Sequence, residues 1–157
     1  MEYRELLESY AREAGLADIS QALADGLCTF DFGAISVSFV EHAETHQIVL
    51  WSVLAPVPEE GKGELARMMM REMVEEKVPI GTHFSIDADT GNFCLHRCES
   101  LILIDLETFK TTVQNFVGTV RDWRTRVADF RPSEAPSAGN AAGAFQFGPL
   151  GGDFIRV

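Results

Sequence analysis

The stretch CTFDFGAISVSFV, residues 28–40, decides the fold class. Cys28, Phe30 and Phe32 alternate with Thr29 and Asp31, Gly33 breaks the run, and Ile35, Val37 and Phe39 then alternate with Ser36 and Ser38. A period of two sends successive side chains to opposite faces of a strand, so the spacing predicts a hairpin of two strands meeting near Gly33.

Working outward, residues 42–46 are polar and predict a turn, and residues 47–54 predict a third strand. That strand is apolar on both faces, with Ile48, Leu50 and Leu54 on one and Val49, Trp51 and Val53 on the other. It is either central and covered on both sides or keeps one face for a partner. Pro56 and Pro58 end it. Residues 83–87 and 93–98 predict a second hairpin, joined by the turn-rich ADTGN of residues 88–92.

Around these strands the period changes. Tyr3, Leu6, Leu7, Tyr10 and Ala14 fall at helical spacing, with Gly15 placed as a C-terminal cap. Residues 17–25 show no regular pattern and predict a linker. A second helix is predicted over 63–77 (GELARMMMREMVEEK), stopped before Pro79. Its apolar residues, Leu65, Ala66, Met69, Met70, Met73 and Val74, span an arc of about 180°, whereas a helix facing only its own core needs roughly 100°. A methionine-rich stripe is either core or interface; the surplus width at Met69, Met70, Met73 and Val74 favours an interface, where methionine adapts to irregular partners. Asp105 is placed to N-cap a long third helix carrying Leu106, Phe109, Val113, Phe116, Val117, Val120, Trp123, Val127 and Phe130. The order helix, three strands, helix, two strands, helix predicts an α+β domain with a twisted antiparallel sheet of about five strands and three helices.

A chain of 157 residues with 46% hydrophobic content suits one domain, here residues 1–130. Of the last 27 residues 15 are Gly, Ala, Pro or Ser, which predicts a flexible tail over 131–157, although its end, FQFGPLGGDFIRV, is apolar. The formal charge of -11, from 24 acidic and 13 basic residues, opposes nucleic-acid binding. Three cysteines predict free thiols. No apolar run reaches the roughly 18 to 20 residues of a membrane span, and the charged start MEYRELLESYAREAG is unlike a signal peptide, so the chain is expected to be soluble and intracellular.

The motifs that suggest chemistry have plainer readings. Cys94, His96 and Cys98 share a strand face, but at ~3.3 Å per residue the outer two lie about 13 Å apart. Thiolates bind zinc at about 2.3 Å, so a zinc site would need Cys28 from another strand and would still lack a ligand. Asp89-Thr90-Gly91 matches the aspartic-protease triplet without its flanks and reads as a hairpin turn. The calcium-loop and kinase-like fragments, Asp87 with Asp89 and DFG at residues 31–33, lack the rest of their motifs. His42, His46 and His83 read as surface or turn residues, so no catalytic residue, metal or cofactor is expected.

This order of elements, in about 130 acidic residues, resembles the class I chaperones of type III secretion, the Tir-chaperone or CesT-like family. The resemblance covers residues 1–130. It rests on ELLESYAREAGL (5–16), WSVLAPVP (51–58), FSIDADTGNFCLHR (84–97) and DLETFKTTVQNFVGTVRDWRTRV (105–127). It implies an ATP-independent homodimer of the bacterial cytoplasm that holds the N-terminal segment of a secreted effector extended and delivers it for export, with the secretion ATPase as a further partner. It implies neither catalysis nor a cofactor.

On this reading Met69, Met70, Met73 and Val74 form the dimer contact, and Phe30, Phe32, Ile35, Val37, Phe39, Val49, Trp51 and Val53 are the candidates for effector contact. Phe145, Phe147, Phe154 and Ile155 of the tail are expected to lie in an effector groove when no client is present. The competing expectation is a regulatory or structural dimer of the same fold without a secretion client. An enzyme using Asp89 or the histidines is a distant third.

Overall fold

The computed structural model describes residues 2–16, 19–24, 26–75 and 77–132. The elements run α1 (Tyr3–Glu13), α2 (Ser20–Ala24), β1 (Leu27–Phe32), β2 (Ile35–His42), a 3-10 turn (Ala43–Thr45), β3 (Gln47–Pro56), α3 (Lys62–Val74), β4 (Thr82–Asp87), β5 (Asn92–Ser100) and α4 (Leu106–Asp129). All strand pairs are antiparallel, in the order β1-β2-β3-β5-β4. The α+β class and the five-stranded antiparallel sheet read from the sequence are those observed.

Each boundary has a local cause. Gly33 turns the first hairpin with φ +68°, a region that disfavours a side chain. The Asp105 carboxylate accepts the Thr108 amide at 2.7 Å and starts α4. In the second hairpin the Asp87 carboxylate accepts the Asp89 amide and the Thr90 hydroxyl, at 3.1 and 2.6 Å, and Gly91 takes φ +67°.

Two expectations about elements need correction. The predicted linker contains the short helix α2, whose Leu23 is buried in the core; a single apolar turn is too short to show a period. β3 runs on to Pro56, beyond the predicted end at Leu54. Proline lacks an amide hydrogen, which is tolerated at a strand terminus, and the register with β5 shifts between Val53 and Ala55.

The core lies between one face of the sheet and the helices. Phe30, Val37, Phe39, Ile48, Leu50, Phe93 and Leu95 point into it from the strands, Leu6, Leu7 and Tyr10 from α1, and Phe109, Val113, Phe116, Val120 and Trp123 from α4. Tyr10, Phe30, Phe39 and Phe109 pack ring against ring at centroid distances of 5.3–5.8 Å. The Tyr3 hydroxyl donates to the Phe39 carbonyl at 2.8 Å. Arg124 of α4 donates to the carbonyls of Val53 and Ala34, so it ties the helix to β3 and to the first hairpin turn.

α3 covers the β4 end of the same face. It buries Leu65, Met69 and Glu72. One Glu72 oxygen pairs with Arg126 of α4 at 2.9 Å, and Arg126 stacks on Trp123, whose ring meets Phe84 of β4 edge to face at 4.6 Å. The pair joins a buried carboxylate on α3 to a partly exposed guanidinium on α4 and so links the two helices.

These placements correct part of the residue expectations. Phe30, Ile35, Val37 and Phe39 are buried in the chain's own core and offer no surface to a partner. Met69 is likewise core. Replacing Phe109, fully buried at the centre of the aromatic cluster, with alanine should cost about 3–5 kcal/mol in urea unfolding. A loss below 1 kcal/mol would show that the cluster does not carry the core.

Candidate protein-binding surfaces

The strand positions that alternate with the core residues form a second face on which, among the described residues, no helical layer lies. Register fixes its layout. Leu27, Val40, Val49 and Cys98 make one cross-strand row. Thr29, Ser38, Trp51, His96 and His83 make the next. Val53, Cys94 and Ser85 stand in the third, on the side where β1 and β2 place the pair Asp31 and Ser36.

Along β3 the burial alternates strictly: Ile48, Leu50, Ser52 and Leu54 are buried, whereas Val49, Trp51 and Val53 stay half-buried. Of the two readings open at the sequence level, the structure has the one in which one face is kept free of the core. Trp51 is its centre. It lies edge-on to His96, with ring centroids 6.4 Å apart. His96 Nε2 shares a 2.5 Å hydrogen bond with Ser85 Oγ, which joins β5 to the edge strand β4.

A second surface flanks β4. Met70 and Val74, one turn apart on α3, are 66% and 83% exposed, and Ile80 and Ile86, before and within β4, are 88% and 54% exposed. Such values are unusual for four large apolar residues in one segment of chain. Met70 and Ile86 line an apolar cavity of about 230 Å³ with Ala66, Met69, Phe84, Ser85 and Phe93.

The expected site residues therefore divide. Met70 and Val74 are exposed and Met73 is half-buried against the core, so the surplus arc of α3 is there without Met69. Val49, Trp51 and Val53 stand together on the helix-free face, while Phe32 is half-buried at the end of β1 and packs against the core. Sequence reasoning missed Leu27, Val40, Ile80 and Ile86. The alternation in β1 and β2 places the first two on the free face, but the exposure of Ile86 follows from β4 being an edge strand, which depends on strand order.

Cys94, His96 and Cys98 stand on the strand face away from the core, as the spacing predicts, with Cys94 fully buried there, while Cys28 is buried on the opposite, core-facing side. All three cysteines are free thiols. Among the described residues no group of three or more His, Cys, Asp or Glu side chains is arranged to hold a metal, and no helix is long and apolar enough to cross a membrane. His42, His46 and His83 are exposed, with His46 in the left-handed region at φ 49°. The apolar residues of 145–155 lie outside the described residues.

Burial, and then the neighbouring His83, hold the His96 imidazole below its ordinary pKa of 6.5. As pH falls, the unfolded chain takes up this proton before the folded one does. The stability tied to neutral His96 is thus complete above about pH 6.5 and declines between that value and the lower folded-state pKa. The melting temperature should drop less between about pH 7.5 and pH 5.5 in His96→Gln than in the parent chain. Equal drops would clear His96 as the cause.

Comparison with known proteins adds the family. The model of the Tir chaperone protein (CesT) family matches residues 5–124. No curated protein matches the sequence closely enough to count as a relative. Among solved structures, the fold is similar to one in the ExsC-ExsE complex, with 21% identity over 80% of this chain and 96% of that one and a TM-score of 0.65. It is similar to one in the HopA1-SchA chaperone-effector complex, with 14% identity over 78% and 93% and a TM-score of 0.62. It is also similar to YbjN from E. coli, named as a candidate transcription regulator, with 10% identity over 79% and 90% and a TM-score of 0.59. At these identities the structures speak for the fold, and the family model, which spans most of the domain, places the sequence: the chain belongs to the Tir chaperone protein (CesT) family.

Proposed function

We propose that this protein is a homodimeric, ATP-independent chaperone of the bacterial cytoplasm that binds the N-terminal segment of a type III secreted effector and keeps it competent for export. The observation that carries this reading is the helix-free sheet face of a Tir-chaperone-family domain, with Val49, Trp51 and Val53 half-exposed at its centre. A half-exposed tryptophan among aliphatic side chains suits capture of an apolar client segment, since tryptophan dominates binding energy where it anchors a pocket.

The dimer contact assigned here is the strip of Met70, Val74, Ile80 and Ile86 along α3 and the β4 edge. In a two-fold dimer the same strip serves both copies, and its cavity of about 230 Å³ has room for a side chain from the partner. The net charge of -11 keeps a molecule with such surfaces from associating without specificity. A regulatory or structural dimer of the same fold without a secretion client is the competing reading; YbjN, named as a candidate transcription regulator, shares the fold.

Native mass spectrometry of the tagged protein, taken from cells making secretion substrates, separates the two. Two copies bound to one larger protein through its N-terminus are expected, and a bare dimer would favour the reading without a client. Met70→Glu and Val74→Glu, both at exposed positions and so harmless to the core, should each yield monomers in light scattering. Persistent dimers would move the interface elsewhere. Trp51→Ala should weaken client binding by about tenfold or more while leaving the dimer intact, and unchanged affinity would exclude the sheet face.

A further inference from the structure

The charges of this protein are sorted between its two layers. Twelve of its 13 lysines and arginines lie in described residues, and eleven of those sit on helices or the segments next to them: Arg4 and Arg12 on α1, Lys62, Arg67 and Arg71 on α3, Lys77 after it, Lys110, Arg121, Arg124 and Arg126 on α4, and Arg131 after it. The sheet supplies only Arg97. Its place in the alternation puts it on the core-facing side with Phe93 and Leu95, and Glu99 neutralises it at 2.6 Å.

The helix-free face thus carries no lysine or arginine among the described residues, but it does carry carboxylates. Asp31 is exposed on β1, where it accepts the Ser36 hydroxyl at 2.5 Å. Asp87 ends β4, and its hydrogen bonds from Thr90 and Asp89 hold its pKa below the ordinary value, so it stays anionic. The hairpin tips beside the face add Glu44 and Asp89. Its uncharged centre is Val40, Val49, Trp51 and Val53, with the two histidines beside it.

We propose that the occupant of this face is a cationic amphipathic peptide segment, with apolar side chains on the Val40–Val49–Trp51 centre and lysines or arginines reaching Asp31 and Asp87. The inference rests on the chaperone reading and names the chemistry of its client. An anionic segment is disfavoured because the described residues of the face offer it no lysine or arginine, and burying an unpaired carboxylate against Trp51 is costly. Geometry adds a spacing. Asp31 lies four residues along β1 from Leu27, which shares its row with Val40 and Val49, about 13 Å at ~3.3 Å per residue. In an extended client running along the strands, the contacts with the Val40–Val49 row and with Asp31 are therefore about four positions apart. The overall negative charge also draws such a segment in from solution, an effect that falls as salt screens it.

The test uses three labelled peptides of one valine- and threonine-rich sequence, bearing lysine, glutamine or glutamate at the same positions, four residues from a valine, with fluorescence anisotropy on the full chain. Binding should be tightest for lysine and weakest for glutamate, and the lysine peptide should lose affinity as salt rises from about 0.05 to about 0.3 M. Asp31→Asn with Asp87→Asn should reduce the advantage of lysine over glutamine by about three- to tenfold. Because Asp87 also orders the second hairpin, Asp31→Asn alone is measured beside it, with melting temperatures for both. If the three peptides bind alike, or if neither variant nor salt alters their ranking, the face takes apolar segments regardless of charge; this proposal falls and the chaperone reading stands. If none binds while a natural client is still captured from cells, the client lies elsewhere and the assignment of the sheet face falls with the proposal.

Discussion

The molecule is organised around the alternation of side chains along β3. Ten residues in one extended run, Gln47–Pro56, send Ile48, Leu50, Ser52 and Leu54 into the helical layer and leave Val49, Trp51 and Val53 on the other side. Because β3 sits third in a five-stranded sheet, its register sets that of β2 and β5, and through them of both edges. A slip of one residue would bring Trp51 and Val49 to the core and expose Leu50 and Ile48. Arg124, donating to the Val53 carbonyl, works against such a slip by holding α4 against the strand.

From that division the remaining features follow. All the helical mass lies on one face, so α1 and α4 share one aromatic core with the strands, while α3 is left at the β4 end with only part of its apolar arc covered. The Glu72–Arg126 pair ties α3 to α4, with Met69 turned inward and Met70 and Val74 turned out. The charges divide in the same way. Among the described residues the cations gather on the helices, whose long amphipathic side chains suit a solvated surface, and the charged groups on the free sheet face are carboxylates at its rim. The described residues thus present two distinct apolar surfaces, one strip beside an edge strand and one field with an acidic border.

The methionines of α3 show why sequence and structure agree in part. A wide apolar arc does signal a helix with more apolar surface than its own core covers, and Met70 and Val74 are exposed as that width implies. The arc does not say which edge of it faces inward, because that depends on where α4 and β4 lie. Met69 was therefore counted with the surface although it is core. The strand residues show the same limit. Phe30, Ile35, Val37 and Phe39 alternate cleanly, yet alternation separates two faces without naming which one the helices cover. A contact surface drawn from the most apolar positions falls on the core, because large apolar side chains are the ones folding buries.

By itself, then, the sequence determined what depends on neighbours along the chain: the periods that separate helix from strand, the Gly33 and Asp87–Gly91 turns, the Asp105 cap, the element order and the acidity. Those are local matters of backbone sterics and short hydrogen bonds. Tertiary structure alone decided the order of strands in the sheet, the choice of covered face, the exposure of Ile86 on an edge and the placement of Arg97, the one described cation of the sheet, on the core-facing side. Each of these is settled by contacts between residues far apart in the chain, where burial of one apolar face against the helices fixes what the other is left to present.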